Sequence, residues 1–290
     1  MLAGIAALLI AVLLGAPAAA RAGDASDDLG NAGGMNYRAN IAEDFVGSGY
    51  NSFVNCLEGD RPISGGVDLG NSATASRMGG TYPVDEDGFI WRSAGYNLVG
   101  GMMDLSFFGI CRESDPSMMK FRSATKSFNP DKKRTVRVAC PDGFRAIGGG
   151  IEAANPLVAA TVPYDAGDPD KKPDDGWRAT AVNAFGAKAD LTAHVSCRKA
   201  ESWDLKYKSE GFSVGDTASA AASTICQPGA AVTGGGTAIA GPGGSVRVHE
   251  TFPVDFGDVE NTTPEDGWQG NVRNDGMSSA QAVTHAICRV

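Results

Sequence analysis

The stretch Val136-Arg137-Val138-Ala139-Cys140-Pro141-Asp142-Gly143-Phe144-Arg145-Ala146-Ile147-Gly148-Gly149-Gly150 decides how the rest of the chain is read. Val136, Val138 and Cys140 alternate with Arg137 and Ala139, the period of a half-buried strand. Pro141-Asp142-Gly143 is a turn: Pro fixes φ, Asp bonds back to nearby backbone N–H groups, and Gly tolerates positive φ. Phe144 to Ala153 reads as a second strand interrupted by three glycines. Glycine inside a strand marks a bulge or a point where another backbone comes close.

The same pattern occurs twice more. Six cysteines fall into three pairs at similar spacing, Cys56 with Cys111, Cys140 with Cys197 and Cys226 with Cys288. An aromatic-basic pair precedes each first Cys at one fixed offset: Tyr37-Arg38, Phe121-Arg122 and Tyr207-Lys208. Two glycines follow it at another: Gly65-Gly66, Gly149-Gly150 and Gly235-Gly236. Then come Pro83-x-Asp85, Pro163-x-Asp165 and Pro253-x-Asp255, a Trp at 91, 177 and 268, and an Asn at 97, 183 and 274. Each copy ends on Cys-Arg, at Arg112, Arg198 and Arg289. Fixed offsets in three copies establish a triplication. The repeats run 35–112, 113–200 and 201–290, after a lead-in at 23–34 whose Gly, Asp, Ser and Asn content predicts flexibility.

Within the middle copy, Val158 to Val162, Trp177 to Asn183 and Leu191 to Arg198 read as further strands. Each repeat therefore holds five or six short strands, and no segment carries a helical period. The fold class is all-β: three antiparallel units, packed as a threefold prism or placed in tandem as small sandwiches. Six cysteines allow 15 pairings. The repeat symmetry selects Cys56–Cys111, Cys140–Cys197 and Cys226–Cys288, each closing one copy on itself.

Leu2 to Ala16 is an apolar run ended by Pro17, with Ala20-Arg21-Ala22 as a small-x-small cleavage pattern. No Lys or Arg precedes the run. Residues 1–22 are expected to be a signal peptide, which agrees with a disulfide-forming compartment and a secreted, extracellular or periplasmic product. No long apolar run follows, so no membrane span is expected in the mature chain. The formal net charge is −9, and so acidic a chain lacks the basic surface that nucleic-acid binding needs.

Three kinds of position offer a ligand site. Trp91, Trp177 and Trp268 read first as core residues beside the disulfides, and otherwise as stacking platforms for sugar rings, with Asp85, Asp165 and Asp255 beside them. Asp165, Asp168 and Asp170, and Asp255, Asp258 and Glu260, gather carboxylates on Gly-bearing loops and would suit Ca²⁺. They would otherwise be solvated acidic turns. The glycine runs lack the ending of a phosphate loop and read as structural. His194 and His285 occupy a position that takes Phe108 in the first copy, so packing is expected there. No nucleophile motif or metalloprotease motif is present, and no catalytic residue is assigned.

The order Cys, Gly-Gly-Gly, Gly-Trp, Asn, Cys in the second and third copies resembles a repeat of uncharacterised secreted bacterial proteins, which implies export. Threefold β repetition resembles, at the level of architecture, β-prism lectins and vitelline membrane outer layer proteins. The expected function is that of a secreted, non-enzymatic binding protein for glycans or another envelope component. A structural or surface-coat protein and a secreted hydrolase using loop carboxylates are the alternatives.

Overall fold

The computed structural model describes residues 27–290 apart from 46–48, 71–75, 85–89, 98–102, 114, 116, 154, 168–169, 242–243 and 257–262. The expected signal peptide at 1–22 lies outside the described residues. Each repeat supplies six strands. The first has β2 (Met35–Phe45), β3 (Tyr50–Asn55), β4 (Asp60–Asp68), β5 (Ser76–Pro83), β6 (Ile90–Asn97) and β7 (Met103–Glu113). The second has β8 (Met119–Phe128), β9 (Lys133–Ala139), β10 (Phe144–Glu152), β11 (Leu157–Tyr164), β12 (Gly176–Val182) and β13 (Ala189–Lys199). The third has β14 (Leu205–Val214), β15 (Ser219–Ile225), β16 (Ala231–Ala240), β17 (Val246–Val254), β18 (Gly267–Asn274) and β19 (Ala280–Arg289).

A further strand, β1 (Asp27–Ala32), precedes them and pairs with β2. This corrects the expectation of a flexible lead-in for its described part. Gly33 and Gly34, at φ 56° and 71°, make the two-residue hairpin turn whose twist suits paired strands. That turn has no counterpart in the other copies, so the repeat template does not signal it.

The strands form three antiparallel sheets, and no sheet belongs to one repeat. Their orders are β1-β2-β7-β4-β17-β18-β15, β3-β6-β5-β10-β13-β8 and β14-β19-β16-β11-β12-β9. Each repeat puts three strands in one sheet and three in the next, and the third repeat returns to the first through β17 and β4. The result is a closed ring of three shared sheets, which excludes the tandem arrangement. The three seams are equivalent: Thr251 pairs with Val67, Thr81 with Ile151 and Thr161 with Thr237.

The glycine-bearing strands β4, β10 and β16 stand at the centre, where Ser64, Gly148 and Gly234 meet. A Cβ built on Gly148 would fall 2.3 Å from the Ile63 carbonyl oxygen, and one on Gly234 2.8 Å from Gly148 Cα. These strands are therefore buried on both faces. One continuous core spans the three sheets, with Trp91, Trp177 and Trp268 among its largest members.

All three expected disulfides are formed. Cys56 follows β3 while Cys111 lies on β7; Cys140 follows β9 while Cys197 lies on β13; Cys226 follows β15 while Cys288 lies on β19. Each bridge thus joins two different sheets, and together they join all three pairs.

Candidate functional site

The structure assigns most of the repeated side chains an internal task. Trp91, Trp177 and Trp268 are each 0% exposed. Each indole N–H donates to a threonine hydroxyl, Trp91 to Thr81 at 2.6 Å, Trp177 to Thr161 at 2.9 Å and Trp268 to Thr251 at 2.6 Å. Each ring also lies against a glycine of its own repeat; a Cβ on Gly149 would come 2.4 Å from Trp177 and one on Gly235 2.3 Å from Trp268. The stacking-platform expectation is therefore corrected: these rings fill the space between sheets, and no sugar reaches them. Sequence reading missed the threonines, although Thr81-x-Pro83, Thr161-x-Pro163 and Thr251-x-Pro253 repeat as faithfully as the tryptophans.

Trp177→Phe removes the donor, leaves the buried Thr161 hydroxyl unpaired and opens a small cavity. It is expected to destabilise by about 1–3 kcal/mol, read as a lower denaturation midpoint with an unchanged slope.

Several other template residues also hold the frame. Tyr37 and Tyr207 hydroxyls donate to the carbonyls of Val232 and Ala146 in the neighbouring repeat, at 2.6 and 2.7 Å. Arg122 and Lys208 reach the carbonyls of Ala139 and Ile225, just before the first cysteine, at 3.3 and 2.9 Å. Asn183 and Asn274 shape the hairpins that follow them through bonds to Ala187 and Ser278 carbonyls, both 2.8 Å. At the inter-repeat seams His194 stacks on Tyr82 with ring centroids 5.0 Å apart, and Phe108 on Phe252 at 5.6 Å. These are packing positions, as the exchange of His for Phe implies.

The acidic loops divide. Asp85, Asp168, Asp258 and Glu260 lie outside the described residues. Asp165 and Asp170 are exposed, and Asp255 is half-buried. Asp165 Oδ1 accepts the Gly167 N–H, Asp175 Oδ2 accepts the Ala166 N–H at 2.6 Å, and Asp266 Oδ2 accepts the Phe256 N–H at 2.9 Å. Asp174 is nearly buried and pairs with Arg145 at 3.1 Å. It lines a cavity of about 300 Å³ with Asp142, Asp170 and Asp175. Among the described residues no three His, Cys, Asp or Glu side chains assemble as ligands of one ion. The geometry observed is that of acidic turns shaped by their own backbone.

One cluster invites a catalytic reading. Ser76 Oγ lies 3.3 Å from His249 Nε2, and Glu250 Oε2 lies 3.8 Å from the same nitrogen. A relay needs its two partners on opposite ring nitrogens and an accessible hydroxyl. Here both address Nε2, Nδ1 is buried without a hydrogen-bond partner, and Ser76 and His249 are 0% exposed. The cluster is a sealed polar patch where the third repeat meets the first. Glu250 is held there by the Leu69 N–H at 2.9 Å and the Asn271 amide at 3.0 Å.

Buried titratable groups in this patch and at His285 are expected to give stability a two-sided pH dependence. Burial, then Arg247, holds the His249 pKa down at about 4, and burial, then Arg178, does the same for His285. Both rings bind protons near 6.5 when unfolded, so the stability of the neutral folded rings is present above 6.5 and lost as pH falls towards 4. Glu250 has the opposite sign. Burial, then the Asp68 carboxylate, raises its pKa from 4.5 to about 8, so its contribution is present below 4.5 and lost as pH rises through 8. The melting temperature is expected to peak near 6.5 and fall on both sides. Glu250→Gln should flatten the alkaline limb alone, and a profile that stays flat above neutrality in the wild type would contradict the assignment.

No protein-family model matches the chain, and no curated protein matches it. Solved structures align with it only loosely, and two of them serve as examples. One is described as the triple jelly roll fold and turret assembly in an archaeal virus, at 7% identity and a TM-score of 0.23 over 87% of this chain and 82% of that one. The other is from the Sulfolobus turreted icosahedral virus, at 9% identity and a TM-score of 0.21 over the same shares. Superpositions this loose support neither a shared fold nor a shared role. Among the described residues no helix is long and apolar enough to cross a membrane.

Proposed function

We propose that the protein is an exported, non-catalytic structural or surface β-protein, a disulfide-braced prism whose repeats serve assembly and stability. The observation that carries this reading is the consumption of the template inside the molecule. All three tryptophans are sealed at 0% exposure and bonded to threonines of their own repeats. The disulfides add that the chain matures in an oxidising compartment, which supports secretion. The Ser76–His249 contact is closed to substrate, which supports a non-enzymatic role.

A second reading, recognition of glycans or an envelope component, rests on the hairpin loops. Val84 and Phe256 lie in the Pro-x-Asp loops of two repeats, Val84 just before the aspartate of its loop and Phe256 just after that of its own, and are 42% and 47% exposed, apolar contacts beside acidic residues. A glycan-array screen of the oxidised protein, run with calcium and with chelator, separates the two. The structural reading expects no specific binding in either condition, together with resistance to proteolysis. Specific binding abolished by Phe256→Ser would replace it with the lectin-like reading, and loss on chelation would place ions in the acidic loops.

A further inference from the structure

Each repeat ends on Cys-Arg, and the shared-sheet ring brings the three arginines together. Arg112 lies at the end of β7, Arg198 at the end of β13 and Arg289 at the end of β19. Their guanidinium carbons stand 4.3, 4.4 and 5.0 Å from the ring centre of one residue, Trp203. Trp203 is the tryptophan outside the repeat template. It follows the 3₁₀ turn Ala200–Ser202, stands two residues before β14, which carries Leu205 and Tyr207, and is 8% exposed.

Cation–π attraction accounts for the stacking on the indole, but it leaves the guanidinium N–H groups to be satisfied elsewhere, five on each arginine. Among the described residues their hydrogen-bond partners are few and uncharged. Arg112 Nη1 reaches Met35 Sδ at 4.0 Å, Arg198 Nε donates to Ser202 Oγ at 2.9 Å, and Arg289 Nη1 donates to the Gly33 carbonyl. Arg198 Nη1 is buried with no hydrogen-bond partner. The heads converge: a Cβ on Gly34 would lie 3.4 Å from Arg289 Nη1 and 4.0 Å from Arg112 Nη1.

The charge is offset only in part. Burial, then Arg198 and Arg289, pushes the Arg112 pKa down to about 10, and the carboxylate of Glu113 opposes them with a smaller effect. Burial, then Arg289, lowers that of Arg198. Three half-buried cations thus gather in a chain of net charge −9.

We propose that Arg112, Arg198 and Arg289, on a floor formed by Trp203, bind a multiply charged tetrahedral oxyanion, the phosphate or sulfate group of a ligand. Such a group offers three oxygens on one face, one for each arginine of a threefold cluster. Forked guanidinium donors match oxyanion geometry better than any other side chain. The site lies on residues that the structural reading above leaves unused, so it stands or falls independently of that reading.

Trp203 supplies the readout, because the other three tryptophans are sealed in the core. Titrating the oxidised protein with sodium pyrophosphate at constant ionic strength, against sodium chloride, is expected to shift tryptophan emission saturably and to give binding heat. Trp203→Phe should lose the optical change and keep the heat. Arg198→Gln, checked for wild-type melting, should weaken binding roughly tenfold or more. Sedimentation with phosphatidylcholine vesicles, with and without phosphatidic acid, then distinguishes a lipid headgroup from a soluble phosphate as the source. The proposal is overturned if chloride reproduces the pyrophosphate response, if folded Arg198→Gln binds as wild type, or if wild-type calorimetry shows no heat at millimolar pyrophosphate. The last result decides without any variant.

Discussion

Gly236→Ala is expected to abolish the fold, while Gly186→Ala leaves it intact or slightly more stable. The two substitutions add the same methyl group. At Gly236 the new Cβ would lie 1.8 Å from the Thr161 carbonyl oxygen and 2.8 Å from its carbon, both backbone atoms. No rotamer change can relieve that contact. The strand β11 would have to move away from β16, and with it would go the pairs Ala160–Ala238 and Thr161–Thr237 that join the second repeat to the third. Thr161 also receives the Trp177 indole N–H, so the displacement would reach the core. A cost above about 4 kcal/mol is expected, in the range where overpacking removes the native state of a domain. The equivalent glycines at the other seams predict the same outcome: a Cβ would meet the Thr81 carbonyl at 1.9 Å from Gly150 and the Thr251 carbonyl at 2.2 Å from Gly66. At Gly186 nothing lies within 4 Å, and replacing glycine there costs the unfolded chain entropy, worth about 0.4–1 kcal/mol of added stability. Expression and thermal melting of the two variants check the contrast. A folded Gly236→Ala with a wild-type midpoint would mean the seam is looser than described.

Reduction of the disulfides has the second large effect. The bridges span 55, 57 and 62 residues, and the loop-length relation assigns each about 4 kcal/mol of unfolded-state entropy. Whole domains are stable by only about 5–15 kcal/mol. Opening all three is therefore expected to eliminate the cooperative melting transition near ambient temperature. Replacing one pair, Cys140→Ser with Cys197→Ser, should lower the midpoint by roughly 10 °C for a chain of this size. The position of the bridges adds to the entropy argument, since each crosses between two sheets and holds a corner of the prism. A reduced protein that melts as the oxidised one does would show that the shared core alone sustains the fold.

Much of this frame is legible in the sequence because it is written three times. The pairing of cysteines follows from symmetry, and so does the reading of Gly149-Gly150 and Gly235-Gly236 as points of close approach. What repetition cannot show is which copy a strand pairs with. Offsets within a repeat are identical whether Thr161 pairs inside its own copy or, as it does, with Thr237 of the next. The same limit hid Arg112, Arg198 and Arg289: each is visible after its cysteine, yet their meeting at Trp203 is a property of the closed ring. The tryptophans were visible too and read first as core, but a Trp in sequence is compatible with a platform as well, and the deciding threonines sit two residues before a proline that drew attention to the aspartate after it. The hairpin of β1 and β2 occurs once, so no comparison between copies exposes it.

The seam between β4 and β17 has a further consequence, for the order in which the chain can be built. Val67 finds its partner only when Thr251 exists, so during synthesis the outer edge of β4 stays unsatisfied until most of the chain has emerged. That edge accepts any copy of β17, its own or one from a neighbouring molecule, through the same hydrogen bonds. At low concentration the intramolecular partner wins by proximity; in crowded refolding the third repeat of one molecule can complete the first repeat of another, giving domain-swapped dimers and chains that contain no non-native contact.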